Sequence, residues 1–284
     1  MKLIQSRKFV FSLCVGLLFT SACAGATPAT LPPTLTPLPT ATLAPLAPVG
    51  EVAGSWTLKF NDEFDGNALD TTKWRTCYDW GCLLATNNEL QCYVPENVVV
   101  GEGLVRLKAE RRSVPCMVDG QARTQEYASG MISSDPAYTF TYGYVEIRSK
   151  GIQGKGLWPA LWMIPHHHRW PPEFDILELL GDSANVARFN YWYGDGTQSP
   201  SKYTGPDFSA DWHIFGMYWG SDAIRYYVDG EEQGEAFTDT ANITDVPEYF
   251  VANLAVGGNW PGAPNAATVF PNYYEIDYVR IWQQ

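Results

Sequence analysis

Positive charge is scarce in this chain: its 284 residues carry 19 Lys and Arg against 31 Asp and Glu, a formal net charge of −12. So acidic a protein is a poor partner for nucleic acid or an anionic membrane surface, both of which need cationic side chains to neutralise phosphate. A neutral polysaccharide is compatible with that charge. Long apolar runs are lacking too: Phe9–Phe19 is too short for a comfortable membrane span of about 20 residues. No pair of CxxC units occurs among the six cysteines, which argues against a structural zinc site. After residue 50 no stretch keeps a helical period, and no internal repeat is found.

The first 22 residues read as an export signal: Lys2, Arg7 and Lys8 precede the apolar run. Thr20-Ser21-Ala22-Cys23 is similar to a bacterial lipoprotein cleavage site, with Cys23 as the lipidated residue; ordinary cleavage near Ala24-Gly25-Ala26 is the alternative. Loss of that segment would leave a net charge of −15. Residues 23–50 read as a linker: from 24 to 50 there is no charge, and seven of the twenty prolines lie there with six threonines. Residues 51–284 hold all eleven tryptophans and are expected to form one catalytic domain. Export implies an oxidising compartment, where Cys77, Cys82, Cys92 and Cys116 can pair in any of three ways.

Short segments with period-two alternation, such as Leu104–Ala109, Tyr144–Arg148, Ile224–Val228 and Tyr278–Trp282, are separated by turn signals at 62–66, 101–103, 119–120 and 229–230. The pattern is all-β, mostly antiparallel, and a sandwich or jelly roll is the natural architecture. Residues 166–172 and 194–207 read as loops. One segment breaks the pattern: Glu173-Phe174-Asp175-Ile176-Leu177-Glu178, three carboxylates within an apolar run that continues through Leu179 and Leu180. A run that apolar should be buried, and charges do not enter a buried strand without a function. In a regular strand Glu173 and Asp175 share a face and Glu178 does not. A β-bulge at Ile176-Leu177 would restore the phase and bring all three to one face. Two glutamates around an aspartate supply the nucleophile and acid/base of a retaining glycosidase, whose carboxyl groups sit about 5–5.5 Å apart. Upstream, Trp158 and Trp162 flank a Pro-Ala pair, and indole faces are platforms for sugar rings.

GLWPALWM at 156–163 and EFDILE at 173–178 resemble the signature of glycoside hydrolase family 16, in its laminarinase-like (endo-β-1,3-glucanase) branch. Segments at 56–74, 87–93, 142–151, 212–219, 224–231, 254–262 and 274–283 support the resemblance, which covers essentially all of residues 55–284. It implies a concanavalin-like β-jelly-roll sandwich of two curved antiparallel sheets with an open cleft. By position it implies Glu173 as nucleophile, Asp175 as assisting aspartate and Glu178 as general acid/base. Trp158 and Trp162 match tryptophans at the cleavage point, and Asn88 a polar substrate contact; Asn259 and Trp260 lie in a cleft-side loop. Catalysis needs no cofactor. Relatives often carry a structural calcium ion, and Glu63 and Asp277 stand where its ligands come from.

Three departures from the family bear on the glycan: Pro172 replaces the usual Gly before Glu173, Trp192 replaces a cleft-facing His, and Met131 stands for Arg near the substrate. The expected protein is therefore an exported, lipid-anchored, monomeric hydrolase cutting β-1,3 bonds of laminarin-like or mixed-linkage β-glucans. A galactan-active relative of the agarase or carrageenase kind, and a non-catalytic glycan-binding jelly roll, are the alternatives. His166-His167-His168 is not read as a metal site, since three consecutive loop side chains seldom converge on one ion, and His213 reads as framework.

Overall fold

Alternation of apolar and polar side chains makes the backbone of this protein into strands that bury one face at a time. In Leu104–Ala109, buried and half-exposed residues alternate without a break. The computed structural model describes residues 46–50, 52–118, 120–166 and 169–284, so the segments read as export signal and most of the linker lie outside the described residues. Two sheets dominate. The outer sheet runs in the order Glu231–Phe237, Ile224–Val228, His213–Trp219, Gly143–Lys150, Asn272–Gln283, Leu104–Ala109, Val98–Gly101, and Thr57–Asp62 also pairs with Asn272–Gln283. The cleft sheet runs Thr197–Gln198, Val186–Tyr193, Glu173–Glu178, Leu157–Pro165, Glu248–Val256, Met131–Ser133, with Ser201–Thr204 also on Val186–Tyr193. All pairings inside these two sheets are antiparallel; a small parallel pair joins Gln91–Tyr93 to Tyr127–Ser129.

The core lies between the sheets, where Phe174, Ile176 and Leu177 meet Ile147, Phe215 and Ile276. A second apolar layer, including Tyr93, Met131, Trp162, Tyr249 and Val251, lies on the opposite side of the cleft sheet. That is why all nine residues of Glu248–Val256 are buried: the strand is covered on both faces. On the far side, Val52, Trp56 and Leu58 pack over Tyr144, Tyr227 and Trp282 of the outer sheet. The Trp282 Nε1–H donates to the Leu46 carbonyl at 3.0 Å, and the Val49 N–H to Glu146 Oε2 at 2.7 Å. Residues 46–50, assigned above to the linker, are thus tied to the domain.

Residues 194–207 are not all loop: Thr197–Gln198 and Ser201–Thr204 form edge strands. Their side chains are exposed or half-exposed, so the apolar alternation that reveals a strand is missing, and Pro200 is tolerated at an edge. The four cysteines pair as Cys77–Cys82 and Cys92–Cys116. The first closes a tight loop at the cleft rim. The second ties Gln91–Tyr93 to the hairpin Val114–Val118/Gln121–Gln125.

Candidate active site

The acidic strand carries the bulge that its spacing requires. Against Leu157–Pro165, Leu161 pairs with Leu177 but Trp162 with Asp175, so Ile176 is the extra residue. Against Val186–Tyr193, Asn190 pairs with Asp175 and Arg188 with Glu178, which again counts one residue too many on the acidic strand. Energetics decide for the bulge. Without it Leu177 would face the cleft, losing about 2 kcal/mol of burial, and Glu178 would enter the core as an unpaired charge at a cost of several kcal/mol more. With it, Phe174, Ile176, Leu177 and Leu179 are all fully buried.

Glu173, Asp175 and Glu178 line one cleft of about 1260 Å³. Asp175 is buried, while Glu173 and Glu178 keep part of their surface open to the cleft. Burial pushes the Asp175 carboxyl up to about 7, against contacts from Asn190, Trp192 and Glu173 that pull it down. Glu173 is held well above the ordinary carboxylate range by burial first, then by the charges of Asp175, Glu178 and Glu248; the Trp170 side chain pulls the other way. Glu178 is raised by burial and by Asp175, with Trp158 and Arg188 opposing. Burial and mutual repulsion raise all three carboxyls, so the group favours holding protons. A carboxylic acid beside a carboxylate is what general acid and nucleophile require.

Tryptophans hold this group in place. Trp158 Nε1–H donates to Glu178 Oε1 at 3.1 Å. Trp162 Nε1–H donates to Asn253 Oδ1 at 2.7 Å, and Asn253 Nδ2–H to the Tyr93 hydroxyl at 2.9 Å, so Trp162 is braced from below. Trp192 stands opposite Glu173 in register, and its ring lies 5.2 Å from that of Trp170. Trp260 meets Trp158 edge-on at 5.4 Å, with the Arg188 guanidinium 5.5 Å over its ring.

Of the residues expected at the site, Glu173, Asp175, Glu178, Trp158, Trp162, Trp192 and Trp260 line the cleft. Asn88 and Asn259 do not; Asn88 Nδ2–H donates to Asn259 Oδ1 at 2.7 Å, and the pair clips two rim loops together. Their neighbours Asn87 and Glu89 face the cleft instead. Met131 does not line the cleft: it is fully buried in the apolar layer with Tyr93 and Tyr249, directly behind the cleft-lining Trp162. Sequence reasoning missed Glu89, Trp170, Tyr78, Trp80 and Arg188. Trp170 and the Cys77–Cys82 loop carried a signal, aromatic residues close to the acidic strand or inside a disulfide loop; Arg188 becomes visible only once its register with Glu178 is known.

Glu63 and Asp277, expected at a calcium site, are each paired with an arginine. Glu63 accepts two hydrogen bonds from Arg280, at 2.9 and 2.7 Å, and Asp277 is paired with Arg148. A guanidinium already supplies the positive charge that the ion would bring. Among the described residues no group of three or more His, Cys, Asp or Glu side chains gathers to hold a metal. His166 pairs with Asp135, whereas His167 and His168 lie outside the described residues. His213 Nδ1 lies 2.7 Å from Asp229 Oδ2, a framework contact.

Glu248 has no counterpart in the sequence reading. It is fully buried, and neither carboxyl oxygen has a hydrogen-bond partner. Burial raises it well above its ordinary value of 4.5. Below that value folded and unfolded chains both hold the proton. Above it the unfolded chain releases the proton and the folded chain does not, so rising pH favours unfolding. Glu248→Met should therefore stabilise the protein at pH 7 by about 1–3 kcal/mol, with the gain shrinking as the pH falls towards 4 to the part that comes from the unpartnered neutral carboxyl. Urea melts of both proteins across that range would show it; equal midpoints at pH 7 would contradict it.

Residues 87–280 match the family model for glycosyl hydrolases family 16. The chain is 33% identical over 271 residues to glucan endo-1,3-beta-glucosidase A1 of Niallia circulans, covering 84% of this chain and 39% of that relative's length. It is 31% identical over 257 residues to a beta-glucanase of Rhodothermus marinus, covering 81% of this chain and 86% of the relative. Among solved structures it superimposes on the laminarinase catalytic domain of Thermotoga maritima with a TM-score of 0.73 and 31% identity, covering 81% of this chain and 99% of that one.

Proposed function

The chain belongs to glycosyl hydrolase family 16, and from that membership we propose that it is an endo-acting, retaining β-glucanase that cuts internal β-1,3 bonds of laminarin-like or mixed-linkage β-glucans. The observation that carries this reading is the bulged acidic strand, which sets three carboxylates on one side of an open, tryptophan-lined cleft. Similarity to relatives named as endo-1,3-beta-glucosidase and laminarinase supports the choice of glucan. An open cleft admits the middle of a chain, as endo action requires, and an acidic domain suits an uncharged polymer.

In this reading a carboxylate oxygen of Glu173 attacks the anomeric carbon while the bond to the leaving oxygen breaks. That oxygen takes the proton of Glu178. Glu178, now a carboxylate, draws a proton from water, and the water oxygen displaces Glu173 to give a product of retained configuration. The Trp158 indole orients Glu178 throughout. The negative charge of ionised Asp175 raises both glutamates, which favours the protonated Glu178 needed in the first step and its recovery of a proton from water in the second.

The test is a panel of laminarin, curdlan, lichenan and agarose, with products sized over time. Early appearance of mixed oligosaccharides from laminarin and curdlan is expected. Cleavage of agarose alone would favour the galactan reading, and no cleavage of any would favour a binding module.

We further propose export and attachment to the cell membrane through a lipid on Cys23, with one chain sufficing because the cleft is complete within it. The supporting features are Lys2, Arg7 and Lys8 ahead of Phe9–Phe19, and the charge-free segment 24–50. Cys23→Ser should move the protein from the membrane fraction to the soluble one; unchanged fractionation would contradict the anchor.

A further inference from the structure

Resting on the glucanase reading, we infer that Glu89 is a positioning residue of the cleavage site, fixing the Trp162 indole through the Tyr93 hydroxyl and the Asn253 amide. Glu89 lines the cleft, yet only 6% of its surface is exposed. The hydrogen bonds between it and Trp162 run in one direction. An indole N–H can only donate. Trp162 Nε1–H reaches Asn253 Oδ1 at 2.7 Å, which turns Asn253 Nδ2 toward the Tyr93 hydroxyl oxygen, 2.9 Å away. That oxygen accepts, so the hydroxyl hydrogen is left for a further acceptor. Tyr78 and Glu89 both stand beside it, and a carboxylate is a stronger acceptor than a phenol. The other approach to Glu89 is fixed as well. The Val256 N–H donates to Gln91 Oε1 at 2.8 Å, so Gln91 presents its Nε2–H to Glu89 Oε2, at 2.6 Å. Asn87 Nδ2–H donates to Glu89 Oε1 at 3.2 Å.

Three donors thus converge on one carboxyl, and only an acceptor-only group satisfies all three. A glutamine of the same shape has one acceptor oxygen. Its NH2 would confront the Gln91 or Asn87 amide, or turn the Tyr93 hydroxyl round. The consequence reaches the reacting groups, because Trp162 pairs in register with Asp175. A ring tilted there shifts the sugar against Glu173 and Glu178, and small misplacements cost large factors in rate. Burial raises the Glu89 carboxyl to about 7, against the donors that pull it down. As the pH falls through that value the carboxyl takes up a proton and must donate in its turn, so the row of bonds to Trp162 loses its fixed end. The titratable groups facing Glu89 are the Tyr78 and Tyr93 hydroxyls, both held well above their ordinary value and un-ionised in this range. Asp175, raised to about 7, stands on the other side of Trp162, and Glu173, Glu178 and Arg188 share the cleft.

The experiment measures kcat and KM on laminarin for the wild type, Glu89→Gln, Tyr93→Phe and the double variant. Each single change should lower kcat about tenfold with KM within about threefold, and the double variant should match the poorer single one, because both changes cut the same row of bonds. Losses that multiply would show that Glu89 acts apart from Tyr93 and would overturn the inference, as would an unchanged kcat in Glu89→Gln. A second readout needs no substrate. The Trp162 indole N–H signal of nitrogen-15-labelled enzyme, identified by its loss in Trp162→Phe, should shift with a midpoint at about pH 7 in the wild type. That shift should shrink in Glu89→Gln and in Tyr93→Phe, and Tyr93→Phe alone decides should Glu89→Gln not fold. A full shift in Tyr93→Phe would belong to Asp175 and would overturn the inference. A wild type that cleaves no laminarin would remove the glucanase reading, while the indole signal would still show whether Glu89 holds Trp162.

Discussion

Glu173→Gln and Glu178→Gln should each lower kcat on laminarin by at least about 10³-fold while leaving the thermal midpoint within a few degrees of wild type. Both side chains lie on the cleft side of the bulge and neither fills the core, so the amide fits where the acid did. Replacing a buried, raised carboxyl by a neutral amide removes a group that burial penalises when charged, so it costs little folding energy. The two variants should differ in what restores them. If Glu178 is the acid/base, Glu178→Ala supplied with azide should give the β-glycosyl azide, because azide takes the place of water on the glycosyl-enzyme. If Glu173 is the nucleophile, Glu173→Ala should give the α-glycosyl azide in one displacement. Wild-type turnover in either glutamine variant, or interchanged azide products, would remove the assigned roles.

Loss of the Cys92–Cys116 disulfide should be the most costly change to stability, about 3 kcal/mol for Cys92→Ala/Cys116→Ala in urea melts. Its two cysteines are 24 residues apart, against 5 for Cys77 and Cys82, and the longer loop gains more freedom when the bond is absent from the unfolded chain. The effect should reach the cleft. Cys92 lies beside Tyr93, whose hydroxyl holds Asn253 and through it Trp162. The Cys77→Ala/Cys82→Ala protein should lose about 1 kcal/mol less. A reversed order would show that packing at the rim loop outweighs chain entropy.

The acidic strand was legible because its physics is local: an apolar run, three charges and one residue out of phase admit a single economical arrangement. The regular strands were legible for the same reason, as in Leu104–Ala109 and Ile224–Val228. What was not legible depends on partners distant in sequence. Neither disulfide could be chosen from four cysteines alone. Asn88 and Asn259 read as substrate contacts, but they satisfy each other across the rim. Glu63 and Asp277 read as calcium ligands, yet the outer sheet brings arginines to both. The edge strands at 197–204 carry no apolar signal because solvent, not a core, lies beside them. Trp80 needed the fold most: only the closed loop and the Tyr78 stack bring it into the cleft.

If Glu173 is the nucleophile, it becomes covalently bonded to the sugar during turnover. This is tested most directly by inactivating the enzyme with a 2-deoxy-2-fluoro β-1,3-glucan oligosaccharide bearing a good leaving group, then locating the added mass in a peptide digest. One glycosyl group per chain is expected, on Glu173 and released on reactivation. A label on Glu178 or elsewhere, or turnover of the reagent with inverted configuration and no label, would contradict it.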